Sequence, residues 1–223
     1  MNRFTRLCGT ALIVAAASAP LSSHAGVEVL NEGFDDVENL AGWDRLNYSV
    51  PLGTGWFQGY TDVFSAQAGP GNSYAASNFV NLDGSMGTID NWLVTPMLNL
   101  SGITTLSFYT NRENNPGLSD TLEVRFTPNT GGDGTPDTVL FTITGDGFPA
   151  QWQQWSTSLT VEGEGRFAFR YFGASDTLGY IGLDSVRVVT AVPEPSSYLM
   201  LLGGLGALGL TARRLRKPPA RQA

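Results

Sequence analysis

Arg166-Phe167-Ala168-Phe169-Arg170-Tyr171-Phe172 reads as a strand with two unlike faces. Phe167, Phe169 and Tyr171 project to one side, and Arg166, Ala168, Arg170 and Phe172 to the other. A period of two with rings on one side suits an antiparallel strand that is half buried. Working outward, similar β-rich runs recur at Val27–Leu30, Gly55–Tyr60, Tyr74–Phe79, Trp92–Thr95, Thr104–Thr110, Thr121–Thr127, Val139–Thr144, Gln154–Thr160 and Leu183–Thr190. Turn residues separate them, as in Ala68-Gly69-Pro70-Gly71-Asn72, Leu82-Asp83-Gly84 and Gly145-Asp146-Gly147. No stretch between Gly26 and Val192 sustains a helical period. Ten short strands with frequent turns predict an all-β, antiparallel jelly-roll β-sandwich. A closed barrel is the alternative.

Both ends of the chain read as sorting segments. Arg3 and Arg6 precede an apolar run from Leu7 to Ala19, and Ser23-His24-Ala25-Gly26 offers small residues at a cleavage slot. The run is too short for a hydrocarbon core of ~30 Å. Residues 1–25 are therefore predicted to be a signal peptide cut after Ala25, with an uncleaved anchor as the plainer reading. At the other end, Pro193-Glu194-Pro195 is followed by an apolar stretch over residues 198–212, then by Arg213, Arg214 and Arg216. A helix of that length rises about 22 Å, a short or tilted span. The cations after it place the preceding chain outside the cytoplasm. This order of elements resembles the PEP-CTERM sorting signal of Gram-negative bacteria. The resemblance implies that residues 192–223 are read and cut by an exosortase-type membrane protease, and that the precursor sits in the inner membrane before reaching the cell surface or extracellular matrix. A C-terminal anchor that is simply retained gives the same topology.

Between these ends, residues 26–191 are long enough for one core. They carry nineteen acids against six arginines and no lysine, a net charge of −13 where the whole chain has −7. Such a field repels phosphate backbones, so nucleic acid is not an expected partner. The only Cys (Cys8) and the only His (His24) lie in the predicted signal peptide. The body thus has no disulfide, no thiolate nucleophile, no Cys/His zinc site and no Ser-His-Asp triad. Any metal would be held by oxygen, which points to calcium, or less often magnesium.

Several clusters carry a second resemblance. They are Glu32-Gly33-Phe34-Asp35, Gly42-Trp43, Asp90-Asn91-Trp92-Leu93-Val94-Thr95-Pro96, Phe167–Phe172, and Ile181-Gly182-Leu183-Asp184-Ser185-Val186. In this order, spanning Val29 to Val189, they resemble the cleaved-adhesin or choice-of-anchor J domain, a jelly roll related in shape to MAM domains. The resemblance implies structural calcium, held partly by an acid of the first strand and an Asp opening the last, here Glu32 and Asp184. Ser185 stands where relatives often show a second Asp, which either weakens the site or shifts a ligand elsewhere, to Asp35. The plainer reading of Asp184 is a turn cap.

Other candidates are weighed from the residues. The Asp133–Asp137 loop lacks the twelfth-position Glu of an EF-hand and reads as a solvated turn. Glu162 and Glu164, in Val-Glu-Gly-Glu-Gly, read as an exposed turn rather than a carboxylate pair for glycan hydrolysis. Trp152 and Trp155 are the expected partly exposed rings for sugar stacking, while Trp and Phe elsewhere are expected in the core. The resulting expectation is a non-catalytic adhesin-like module that binds extracellular polysaccharide or another surface component, stiffened by calcium. The alternatives are a purely structural matrix protein and a carboxylate-based hydrolase.

Overall fold

The computed structural model describes residues 26–129 and 138–191. The predicted signal peptide, the Asp133–Asp137 loop, Pro193, Glu194, Pro195, the apolar stretch and Arg213, Arg214 and Arg216 lie outside the described residues. Among the described residues no helix is long and apolar enough to cross a membrane.

Ten strands follow in order: β1 (Gly26–Glu32), β2 (Asp44–Asn47), β3 (Phe57–Gln58), β4 (Ala75–Asn78), β5 (Thr88–Val94), β6 (Leu98–Arg112), β7 (Thr121–Pro128), β8 (Thr138–Thr144), β9 (Gln153–Ala174) and β10 (Tyr180–Ala191). Every pairing is antiparallel. The strand order is β2-β5-β9-β6-β10-β4-β3, with β1 on β10 and β7 between β9 and β8. β10 is flanked along its length, by β6 on one side and by β4 then β1 on the other.

β9 belongs to both layers of the curled sandwich. Its first part, up to Gly165, pairs with β6, and from Gly165 onward it lies between β5 and β7. The change of sheet falls at Glu162-Gly163-Glu164-Gly165, where Gly163 takes φ +98°. Glycine meets that backbone demand without a Cβ penalty, and strands that switch sheets make the corners of such sandwiches. The two runs Gln154–Thr160 and Arg166–Phe172 are therefore one strand. The Val-Glu-Gly-Glu-Gly segment is not a turn, because β6 continues to supply its ladder partners.

The Phe167/Phe169/Tyr171 face points inward. Its register partners on β7 are Phe126, Val124 and Leu122, and all six side chains are buried. Phe169 meets Phe108 of β6 edge to face at 5.0 Å. Leu183, Val186 and Val188 of β10 complete the opposite wall. The other face of β9 is not simply wet. Ala168, Trp92 and Val94 are buried there, packed with Leu46. The guanidinium of Arg170 lies 5.1 Å from the Trp92 ring and 4.3 Å from the Phe172 ring, and that of Arg125 lies 5.3 Å from Trp92. Arg170 also grips both oxygens of Asp90, at 2.7 and 2.8 Å. Cations over aromatic faces and a bidentate ion pair thus roof this sheet face without a further layer of chain.

Candidate functional site

Three of the five side chains expected to hold metal or ligand, Asp35, Asp184 and Trp152, converge on one connection, residues 59–73 between β3 and β4. The loop lies across β10, and Gly182 makes that possible. A Cβ there would fall 2.8 Å from Trp152 and 2.9 Å from Phe64 and Tyr74. Phe64 stacks on Tyr74 at 5.1 Å, and Trp152 meets both edge to face at 5.5 and 5.6 Å. The Trp152 indole donates to Ser65 O at 2.7 Å, and the Tyr74 hydroxyl donates to Tyr60 O at 2.8 Å. Burial pushes the Tyr74 hydroxyl far up from its ordinary range, so it stays a neutral donor. Gly182→Ala is expected to drive the rings off the strand. We predict a loss of about 1–3 kcal/mol, as for other overpacked sites, together with faster proteolytic nicking within residues 59–73 than in the parent.

The acids sit at the other end of this loop. Asp184 is fully buried. Its Oδ2 accepts from the backbone N–H groups of Gln67 (2.8 Å) and Ala68 (3.2 Å). Its Oδ1 accepts from the N–H (2.5 Å) and hydroxyl (3.3 Å) of Ser185. The residue lies inside β10, at the register shift between Asp184 and Arg187, not at the opening of a strand. Burial raises its pKa, and the N–H donors oppose that shift. Asp35 accepts from the Ser73 hydroxyl at 2.5 Å, and Glu32 accepts from the N–H of Phe34 at 2.8 Å. Phe34 and Ser185, the two non-glycine residues with positive φ (56° and 51°) among the described residues, both adjoin these acids. Left-handed backbone at such residues is uncommon and gathers where surroundings over-determine the chain. Among the described residues, however, no three acids come close enough to form a metal-holding group. Asp184, the one carboxyl among the described residues that is raised above its usual range, is sealed from solvent, which does not suit it to proton transfer with a substrate.

Trp155 is elsewhere. It lies half buried in β9, stacked on Phe141 at 6.2 Å and packed against the main core. Of the other rings, Trp56 and Trp92 are buried, whereas Tyr60 is 57% exposed beside Phe57 and Tyr180.

A second feature has no counterpart in the expectations from sequence. At the end of the sandwich where β10 begins, residues 48–54 and 79–88 are zipped together by backbone bonds, Thr54 N to Val80 O, Leu82 N to Leu52 O, and Val50 and Thr88 reciprocally. These loops leave Tyr48, Val50, Leu52, Phe79, Val80, Leu82 and Met86 exposed. Residues 79–86, together with residues 115–118 and 175–178, line a cavity of about 360 Å³. Its residues come from three separate connections, each of which resembles an ordinary turn in the sequence.

Residues 27–188 match the Cleaved Adhesin Domain family, and residues 191–217 match a PEP-CTERM protein-sorting motif. Among solved structures, the K1 cleaved adhesin domain of Lys-gingipain from Porphyromonas gingivalis W83 is similar at 25% identity and TM-score 0.59, over 74% of this chain and 99% of that one. The K3 domain of the same protein aligns at 24% identity and TM-score 0.56, over 75% of this chain and 100% of that one. No curated protein matches by sequence.

Proposed function

Because the chain belongs to the cleaved adhesin domain family and carries a PEP-CTERM protein-sorting motif, we propose that it is an exported, non-catalytic attachment module that holds extracellular polysaccharide at the cell surface. The carrying observation is the loop end. Contiguous exposed apolar side chains around a cavity mark interaction sites on soluble domains, and here they lie at the far end of β10 from the sorting motif. The motif implies processing by an exosortase. The test is co-sedimentation of the full-length protein with extracellular polysaccharide from cells that express it. Retention at physiological salt supports the reading, and passage of the protein into the supernatant at every polysaccharide concentration sinks it.

Calcium is part of the proposal. The donors are hard oxygens, as that ion prefers. Glu32 and Asp35 would hold it through the carboxylate oxygens that accept no hydrogen bond. Asp184, two residues before Glu32's register partner Val186, would add charge while keeping its loop. When bound, the cation would supply only cross-linking of the first strand's exit to the loop over residues 59–73. At a hundred times the dissociation constant, the native state gains about 2.7 kcal/mol, or about 5–10 °C in unfolding midpoint. We expect that rise in millimolar calcium, its reversal by chelator, and its loss in Glu32→Ala and Asp35→Ala. An unchanged midpoint ends the calcium proposal.

A further inference from the structure

We propose that two copies of this chain pair along the outer edge of β9, antiparallel over Gln153–Val161 and related by a two-fold axis, so that one sheet continues from copy to copy. The inference stands apart from the polysaccharide reading above. Over these residues β9 pairs with β6 and, among the described residues, with no strand on its other side. Alternate backbone N–H and C=O groups there point outward in the plane of the sheet without a ladder partner. The segment contains no charged residue, no Pro and no Gly, and its ladder to β6 runs without a register shift. The other edge strands are blunted. β1 carries Glu28 and Glu32 and a register shift between Glu28 and Leu30. β2 has four residues, among them Asp44 and Arg45, and β3 has two. β8 slips register against β7 between Val124 and Arg125. Short length, charge and bulges are the means by which sheets avoid edge-to-edge pairing. Gln153–Val161 has none of them over about 30 Å.

Charge and symmetry select a second copy as the occupant. The body is strongly negative, so two copies repel over most of their surface. Along this edge they meet with no charge on either strand. An antiparallel pair of identical strands is isologous, with the same patch used on both sides of the axis. Centred on Thr157, the register sets Ser156 against the partner subunit's Ser158 and Gln154 against the partner subunit's Thr160. These four positions are exposed in the single copy. On the other face, Trp155 meets the partner subunit's Leu159. Both are half buried and packed against the main core, and each would be covered further. Hydroxyls and amides thus meet on the outer face and an aromatic meets an aliphatic chain on the inner one, the kinds of cross-strand pair that stabilise sheets. A slip of one residue would set Trp155 against the partner's polar row, which disfavours it.

The experiment measures the mass of full-length protein in detergent by sedimentation equilibrium, with hydrogen exchange followed at the same concentrations. A dimer is expected, and protection at alternate amides of Gln153–Val161 should rise with protein concentration. Ser156→Lys combined with Ser158→Lys sets like charges opposite one another twice across the axis, and should weaken the dimer about tenfold or more. Ser156→Lys combined with Ser158→Glu sets opposite charges at the same two places and should keep it. Both positions are exposed, so both double variants should unfold near the parent midpoint. A parent that stays monomeric at every concentration overturns the proposal and leaves the edge to an extended segment of another protein. A dimer as strong in the Lys/Lys variant as in the parent overturns it too, and places association elsewhere, as in the apolar stretch over residues 198–212. Loss of the dimer in both variants, or protection over Gln153–Val161 that does not change with concentration, also overturns it.

Discussion

Phe169→Ala is expected to destabilise the domain by about 3–5 kcal/mol, the range for deleting a buried ring. Phe169 is wholly buried and faces Val124 on β7 and Leu93 on β5 across the ladder. Its edge-to-face contact with Phe108 joins the strand that changes sheets to the opposite sheet, so no neighbouring side chain can fill the space by a simple rotamer change. For a domain of this size the loss corresponds to about 10 °C or more in unfolding midpoint. Phe172→Ala is the control, since that ring lies on the outer face under Arg170. It should cost about 1 kcal/mol, the worth of a cation–π contact and some partial burial. Denaturant unfolding of the two variants measures both. Similar losses would contradict the inward orientation of the Phe167/Phe169/Tyr171 face.

Asp184→Ala is expected to cost about 2–4 kcal/mol and to release residues 59–73 from the sheet. The substitution strands the N–H groups of Gln67, Ala68 and Ser185, each worth about 1–3 kcal/mol if left dry. Water entering the loosened loop, and removal of a desolvated charge, offset part of that sum. Hydrogen exchange should show Gln67 and Ala68 losing protection well beyond the change in global stability. Unaltered protection at both amides would mean that the loop is held by its rings alone.

The same carboxylate sets a pH dependence. Its folded pKa is raised by burial, so between the ordinary carboxylate value and the raised one the native state binds more protons than the unfolded chain. Stability from this group therefore falls as pH rises through that window and is level above it. Glu28, Asp36 and Asp83, held low by hydrogen bonds chiefly from Arg187, Asn39 and Ser85, pull the other way, because their contribution is lost on acidification. The difference between parent and Asp184→Asn isolates the buried group. In chelator that difference should shift against the parent as pH rises from about 4, and bound calcium, which favours the ionised form, should reduce the shift.

The strands that alternate cleanly in hydrophobicity were legible from sequence, because period two survives wherever one face is buried. Phe167, Phe169 and Tyr171 on β9 and Leu122, Val124 and Phe126 on β7 are such cases. β2 was not legible: Asp44-Arg45-Leu46-Asn47 is a short edge strand with one apolar side chain, and only pairing with β5 makes it a strand. The bend at Glu162–Gly165 was misread for a similar reason. Its glycines and acids suit a turn, and the ladder that keeps it extended comes from β6, far away in sequence. At the site, Glu32, Asp35, Asp184 and Trp152 stood out by residue type. What joins Asp35, Asp184 and Trp152 is residues 59–73, acting largely through backbone N–H and C=O groups that no side-chain pattern announces. The cavity residues gave no signal because each of the three connections contributes only two to six of them.

β10 carries a mechanical consequence. It starts beside the cavity, just after Leu178, and ends at Ala191, opposite Gly26 and where the sorting motif begins. Its twelve residues span about 40 Å. If the loop end holds a ligand as proposed and the chain is tethered beyond Ala191, tension between the two runs along this strand. Ladder bonds lie across the strands, so that pull loads the bonds to β6, β4 and β1 together in shear and does not unzip them one at a time. A cell dragged by flow would strain the domain in its stiffest direction.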